Sequence, residues 1–432
     1  MEIDPWLARA TARRPEAVAL ETAGERLTYR ELLMVATRAA SRLVLRGAAP
    51  GDRVALTLPG GRDFVVALHG CLLLRAPAMP VDTRLGERER SELVAGAEVV
   101  VSSTLAEEGG APFSMRDPDE EEVALVVHTS GTTQAPRPVE LTFGNVAAHV
   151  RAAGAVLGSA PDERWLCPMP LSHVGGLMIL VRSAAATGTV VLEPGPFDAD
   201  RVARQLREGD ITLVSLVPTM LARILDAGGR PGPRLRRVLL GGGPVTPALL
   251  RRAADAGFPI SQTYGLTEAC STVTVAEPGD LETAGRALPG TGLTVAADGE
   301  ILISGPTVVG EWDALRTGDL GRLDDEGRLT VIGRKSDTIV TGGENVAPAE
   351  VEAVLEEHPG VAEAGVFGRE HPLWGDAVTA RVVPSGELAP SAAELRKHCA
   401  ERLAGYKVPK SFELVTRLPR TPSGKLLRRE LR

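Results

Sequence analysis

Apolar positions recur at helical spacing over residues 6–13 and 29–45, and crowd into short runs over 53–58 and 97–102. The pattern predicts helices alternating with strands, an order that favours a largely parallel sheet. Thr28 is placed to cap the second helix. Residues 104–121 are acidic and turn-rich and read as a surface connection, and the apolar run 123–127 reads as a buried strand. Helices are expected next over 143–157, with Asn145 near the start, then over 177–186 and 200–208; strands are expected over 188–192, 211–216 and 237–240. From 285 to 332 the runs shorten around turns such as Asp298-Gly299 and Glu326-Gly327, predicting an antiparallel or barrel-like piece.

The organisation changes again at 335. A helix over 348–358 has proline in its first turn, strands follow over 361–367 and 378–383, and Ser391 with Glu394 forms a capping box opening a helix to 403. A last strand over 412–415 and a polar loop over 419–425 complete a compact α+β unit. The expected fold class is therefore α/β. A large N-terminal domain (1–334) of βα-layered sheets carries a small barrel-like β piece, and a small α+β C-terminal domain (335–432) follows.

Composition narrows the classes of function. With 432 residues, 44% of them hydrophobic, the chain can build a large core. A net charge of −8 gives no electrostatic case for nucleic acid or an anionic membrane as partner. Cys71, Cys167, Cys270 and Cys399 are scattered without a CxxC and read as reduced thiols of a cytoplasmic protein. The N-terminus lacks the pattern of a secretory signal, and the longest apolar stretch, 65–74, is interrupted by His69 and too short to span a bilayer. Only five of the 48 basic residues are lysine, and all five lie at or beyond 335. Where arginine is the default, a retained lysine marks a position that can require an ammonium point charge, and the shift in usage supports a boundary there.

Candidate chemistry begins after the strand at 123–127, where Thr129, Ser130, Gly131, Thr132 and Thr133 form a hydroxyl-rich loop able to wrap a phosphate. It is no Walker A loop, and an ordinary Ser/Thr turn is the plain alternative. Gly241, Gly242 and Gly243 follow a strand directly and permit close backbone approach to a flat ligand. In order, the chain carries TSGTT (129–133), PLSHVGG (170–176), GGGP (241–244), YGLTE (264–268), RTGDLG (316–321), GRKSD (333–337), GGENVAPAEVE (342–352) and PSGK (422–425). Each is weak alone, but their order and spacing resemble the adenylate-forming superfamily of acyl-CoA synthetases, adenylation domains and luciferases over essentially the whole chain. Within it, segments 170–183, 239–244, 264–271 and 342–355 are most similar to the o-succinylbenzoate–CoA ligases of menaquinone synthesis.

The resemblance implies a small carboxylic acid, ATP with Mg²⁺, and CoA as the molecules handled. It implies that Thr129 to Thr133 hold the β- and γ-phosphates, Thr267 the α-phosphate and Glu268 the Mg²⁺. Asp319 would bind the ribose, Arg334 would be a second ribose or hinge contact, and Tyr264 with Gly241 to Gly243 would flank the adenine. Lys425 would bridge carboxylate and α-phosphate during adenylation. His173 would line the acyl pocket or gate the thiol, and a core histidine reads nearly as well there. Arg182, in an otherwise apolar helix, would hold a second substrate carboxylate. Ser336 would be the hinge about which the C-terminal domain turns, withdrawing Lys425 and bringing in Gly342, Gly343 and Glu344 along the CoA tunnel. Where the family continues TSGTTG-x-PKG, this chain has Gln134, Arg137 and Pro138, and Gln134 and Pro138 are expected to stiffen the loop. A free-standing adenylation enzyme with a carrier-protein acceptor, another aryl or fatty acyl-CoA synthetase, and a nucleotide-binding homologue with impaired catalysis all stay open, as does homo-oligomerisation.

Overall fold

The computed structural model describes residues 6–105, 110–129, 137–158, 160–193, 195–310, 313–386, 388–420 and 426–431. Two mixed sheets form the bulk of the N-terminal part. In the larger, of nine described strands, the middle is parallel: Ile260–Leu266, Arg237–Leu240, Leu213–Leu216, Arg164–Cys167, Thr189–Leu192 and Val18–Thr22 lie side by side. Antiparallel neighbours close both ends. In the smaller sheet Val99–Val101, Val54–Leu56, Ala78–Pro80 and Val123–Thr129 run parallel, and Arg137–Thr142 returns antiparallel at the edge. Pro138 is tolerated there because an edge strand need not donate on both sides.

The alternation read from the sequence arises from burial on both faces. Helix Tyr29–Leu45 is opened by a full capping box between Thr28 and Glu31. It crosses Arg62–Leu74 closely: a Cβ on Gly70 would lie 2.8 Å from that of Ala39, so the crossing depends on glycine facing a run of alanines. Arg62–Leu74 is buried from Phe64 to Leu74, and with Phe143–Leu157 and Val174–Ala186 it fills one apolar core shared by both sheets. Residues 62–74 therefore form an interior helix, for which the sequence pattern had no periodic face to show. No described helix is long and apolar enough to cross a membrane.

The antiparallel piece is a sheet of Gly292–Val295, Glu300–Ser304, Leu315–Leu323 and Leu329–Arg334, with its own small core. Its last strand ends at Arg334, and after the 3-10 turn Lys335–Asp337 a separate sheet begins at Ile339. There the long hairpin Val361–His371/Gly375–Pro384 carries Ser411–Leu414 in parallel and packs on helices Pro348–Glu356 and Ala392–Ala400.

Candidate active site

Strand Ile260–Leu266 leaves the large sheet and turns sharply at Thr267–Ala269 before returning as Ser271–Val275. The reversal is tight: a Cβ on Gly265 would stand 1.6 Å from the Ser271 carbonyl oxygen, and Cys270 and Ser271 both take positive φ, at 60° and 116°. Two consecutive non-glycine residues in that region are unusual and mark a turn held by its surroundings. The turn presents Glu268 half-buried, its backbone carbonyl fixed by Val309 N–H at 2.8 Å. No described residue pairs with its carboxylate, which leaves it available to a hard cation that also takes phosphate oxygens.

Beside this turn packs Arg137–Thr142, the return strand of the Ser/Thr loop. Thr129 ends the outgoing strand opposite Arg137, and its hydroxyl donates to the Arg137 carbonyl at 3.4 Å. Ser130, Gly131, Thr132, Thr133 and Gln134 lie outside the described residues. The return strand itself lies against the turn that carries Glu268.

One strand over, the three glycines have separate reasons. A Cβ on Gly241 would meet Thr263 Oγ1 at 2.3 Å, Gly242 has φ +77°, and a Cβ on Gly243 would meet nothing nearer than 3.8 Å. The first two are demanded by the protein itself, and the third leaves a bare backbone edge.

Tyr264, Asp319 and Arg334 come from three strands into one cluster. The Tyr264 hydroxyl donates to Asp319 Oδ2 at 2.8 Å, and Arg334 Nε pairs with Asp319 Oδ1 at 2.9 Å. Arg334 faces Asp319 because the two are register partners, and its Nη1 also donates to the Thr317 carbonyl at 3.3 Å. Asp319 is buried, and burial together with that carboxylate raises the Tyr264 pKa, so the phenol stays a donor. The Asp319 carboxylate is thus held through both of its oxygens where the three strands meet.

His173 stands at the start of Val174–Ala186 without capping it through its side chain. Burial lowers its pKa; Asp82 opposes that shift and Arg84 adds to it, the two forming an ion pair at 2.6 Å. Arg182, deeper on the same helix, is 6% exposed. Its Nε donates to the Met178 carbonyl at 3.1 Å, its guanidinium carbon lies 4.8 Å from the centroid of the Trp165 ring, and Nη1 has no hydrogen-bond partner. Burial pushes its pKa down to about 10. His149, on the neighbouring helix, is fully buried with both ring nitrogens unpartnered, and burial plus the field of Arg182 hold it neutral. Trp165, His149 and the Asp82–Arg84 pair were absent from the sequence reading, because no local motif marks them.

Gly342 and Gly343, with φ of +59° and +86°, make the tight turn between Ile339–Thr341 and Glu344–Val346. Gly342 N–H donates to the Trp374 carbonyl at 2.7 Å, so this loop is held on its own sheet. Lys425 lies outside the described residues, but the ends of its loop meet: Arg420 bridges to Leu426, and Leu427 N–H donates to the Pro419 carbonyl at 2.9 Å. Among the described residues no group of three or more His, Cys, Asp or Glu side chains is placed to hold a metal ion.

Glycine-bearing loops at the ends of mixed sheets, the Tyr264–Asp319–Arg334 cluster and a following α+β unit define the class. The chain belongs to the AMP-binding enzymes: that family matches residues 7–311, and its C-terminal domain family matches residues 350–425. It is 36% identical to the 2-succinylbenzoate–CoA ligase of Bacillus subtilis (strain 168), over 99% of this chain and 97% of that protein. The solved o-succinylbenzoate CoA synthetase of Bacillus subtilis in complex with its acyl-adenylate intermediate OSB-AMP superposes with a TM-score of 0.92 at 34% identity, covering 100% of this chain and 98% of that one. The same synthetase with ATP and a magnesium ion gives 0.91 at 35% identity, with 100% of each chain covered. A double mutant of it bound with the product analogue OSB-NCoA, at 35% identity and covering 100% and 98%, gives only 0.74. The arrangement described here is thus nearer to the adenylate-bound form.

Proposed function

We propose that this protein is an AMP-forming acid–CoA ligase acting on 2-succinylbenzoate. In the first step a carboxylate oxygen of the acid attacks the α-phosphorus of ATP, the bond to the bridging oxygen breaks, and pyrophosphate leaves. In the second the CoA sulfur attacks the acyl carbon, the thiol proton is lost, and AMP leaves with the electrons of the broken C–O bond. Neither step needs a covalent enzyme nucleophile; both need charge neutralisation and alignment.

The residues divide the work. Thr129 to Thr133 hold the β- and γ-phosphates, Thr267 donates to the α-phosphate, and Glu268 binds Mg²⁺, whose charge offsets that of the phosphates. Tyr264 and the Gly241 to Gly243 edge flank the adenine, while Asp319, steadied by Arg334, accepts from the ribose. Lys425 spans the attacking carboxylate and the α-phosphate. His173 lines the acyl pocket. For the acceptor step Gly342, Gly343 and Glu344 line the path of the CoA arm, after the 335–432 domain turns about Ser336 relative to 1–334. Trp374, 44% exposed beside Gly342 and with Lys410 Nζ 5.5 Å from its ring centroid, extends that surface. The cytoplasm is the proposed setting, in keeping with four free, buried cysteines.

The observation that carries the choice of acid is Arg182. A buried guanidinium with an unused nitrogen calls for an anion, and a second substrate carboxylate supplies one. Pyrophosphate exchange across 2-succinylbenzoate, simple benzoates and short and medium fatty acids tests the reading. Strongest exchange with the dicarboxylic aryl acid supports it, and no response to any acid would favour a catalytically impaired homologue.

A further inference from the structure

Helices Phe143–Leu157 and Val174–Ala186 pack together and share with the large sheet a layer that is largely apolar. Certain polar groups within it stand out by what they lack. Among the described residues, neither ring nitrogen of His149, nor Nη1 of Arg182, nor Oγ of Ser261 has a hydrogen-bond partner. His149 and Ser261 are 0% exposed and Arg182 is 6% exposed, so solvent at the surface does not serve them. Ser261 faces this layer because it is the register partner of Leu239, which lies in the same core. Trp165 lies under the Arg182 guanidinium, and its indole N–H is already given to Ser215 Oγ at 3.2 Å. Buried polar groups are nearly always paired, so a cluster of exceptions needs an account.

The two groups on the helices are chemically distinct. Arg182 is a cation with only donors. His149 is held uncharged by burial and by the field of Arg182, so its ring carries one N–H and one bare nitrogen. The acid proposed above has matching features. Once its chain carboxylate is joined to AMP, 2-succinylbenzoate keeps an anionic ring carboxylate and an uncharged aryl ketone, borne by adjacent ring carbons. We propose that His149 is a specificity-determining residue that donates a ring N–H to the ketone oxygen of the acid while Arg182 takes the ring carboxylate, an inference resting on the ligase reading above. A guanidinium suits the carboxylate, and an uncharged N–H suits the ketone without burying a second positive charge. Because the two acceptors are neighbours, donors from two packed helices can meet them together. Trp165 cannot serve the ketone, since its N–H is committed to Ser215. Ser261 stands across the layer on the sheet, whereas His149 is close enough to Arg182 to feel its charge. An acid without the ketone leaves the imidazole N–H buried and unpaired, and is disfavoured for that reason.

The test compares three acids in pyrophosphate exchange: 2-succinylbenzoate, 4-(2-carboxyphenyl)butanoate with a methylene in place of the ketone, and 3-benzoylpropionate without the ring carboxylate. In the parent protein the methylene acid should have a KM about tenfold above that of 2-succinylbenzoate. H149F keeps an aromatic ring and removes the donor, so it should raise KM about tenfold for both ketone-bearing acids. Its KM for the methylene acid should stay within about twofold of the parent value, as should its KM for ATP. H149Q, with an amide N–H, should bring the ketone-bearing acids back to within about threefold of the parent. S261A should leave all three acids within about twofold, since its hydroxyl takes no part. Should H149F fail to fold, the parent comparison and H149Q still decide the matter. No discrimination against the methylene acid in the parent overturns the proposal, and so does an H149F effect of equal size on all three acids. An H149F effect that vanishes with 3-benzoylpropionate would move His149 to the carboxylate, and S261A reproducing the H149F pattern would move the ketone contact to the sheet; either overturns it. Failure of the ligase reading shows differently, as no exchange dependent on any acid in the parent protein.

Discussion

The Tyr264 hydroxyl and Asp319 Oδ2, 2.8 Å apart in a buried contact, join the end of the large parallel sheet to the four-stranded antiparallel sheet. The bond holds the proposed adenine and ribose contacts at one spacing. Y264F removes the donor and keeps the ring, leaving a buried carboxylate one partner short at a cost of about 1–3 kcal/mol. The KM for ATP in pyrophosphate exchange should rise about tenfold, since each 1.4 kcal/mol is a factor of ten. An unchanged KM would separate Tyr264 from the nucleotide site.

Arg182 should govern the acid and leave the nucleotide alone. R182A is expected to raise the KM for 2-succinylbenzoate about a hundredfold, as a lost charge-assisted pair of roughly 3 kcal/mol implies. An analogue without the ring carboxylate should change by less than about threefold on the same reasoning. R182K should recover little, because an ammonium cannot reproduce the fork stacked on Trp165. Equal KM values for the dicarboxylic acid in R182A and parent would remove Arg182 from the pocket.

Lys425 should matter to one half-reaction only. K425A is expected to lower adenylation by about a hundredfold to a thousandfold, the range found when a group aimed at developing charge is removed. Thioester formation from preformed acyl-adenylate should stay near the parent rate. Equal loss of both would contradict two catalytic arrangements.

Glu356 gives a pH signature in the C-terminal sheet. Burial pushes its pKa up to about 7; the Ala364 N–H it accepts opposes this, and Glu352 and Glu363 nearby add to the rise. A carboxyl held above its unfolded value favours the folded state most when protonated. Its contribution is therefore full below the unfolded pKa of 4.5 and is lost as pH rises through about 7. E356Q keeps the acceptor without the charge, so it should gain about 1–3 kcal/mol over the parent near pH 8 and nothing near pH 4. Denaturant unfolding at the two pH values checks this, and a constant difference would show that Glu356 does not titrate in the folded state.

Much of the fold was legible because its signals are local. Thr28, Asn145 and Ser391 open helices through contacts three residues away, and the strands of both mixed sheets are dense apolar runs. Glu87–Val94 was missed for the converse reason: it has no buried residue and so no apolar stripe to read. Gly241 and Gly265 could be flagged as permissive, but only the neighbouring chain, Thr263 in one case and Ser271 in the other, shows that a side chain is forbidden there.

The site divides along the same line. Sequence by itself determined which loops are the candidates for the chemistry, since YGLTE, RTGDLG and the glycine runs are each a few consecutive residues that can be read locally. Tertiary structure decided which of those residues meet. Tyr264 and Asp319 are 55 positions apart, and Arg428 and Glu352 are 76 apart. Arg182 is an ordinary arginine in the sequence, and its burial against Trp165 with an unpaired nitrogen exists only once the helix at 174–186 is laid on the sheet. Contacts of this kind are set by packing between distant elements, and no spacing along the chain encodes them.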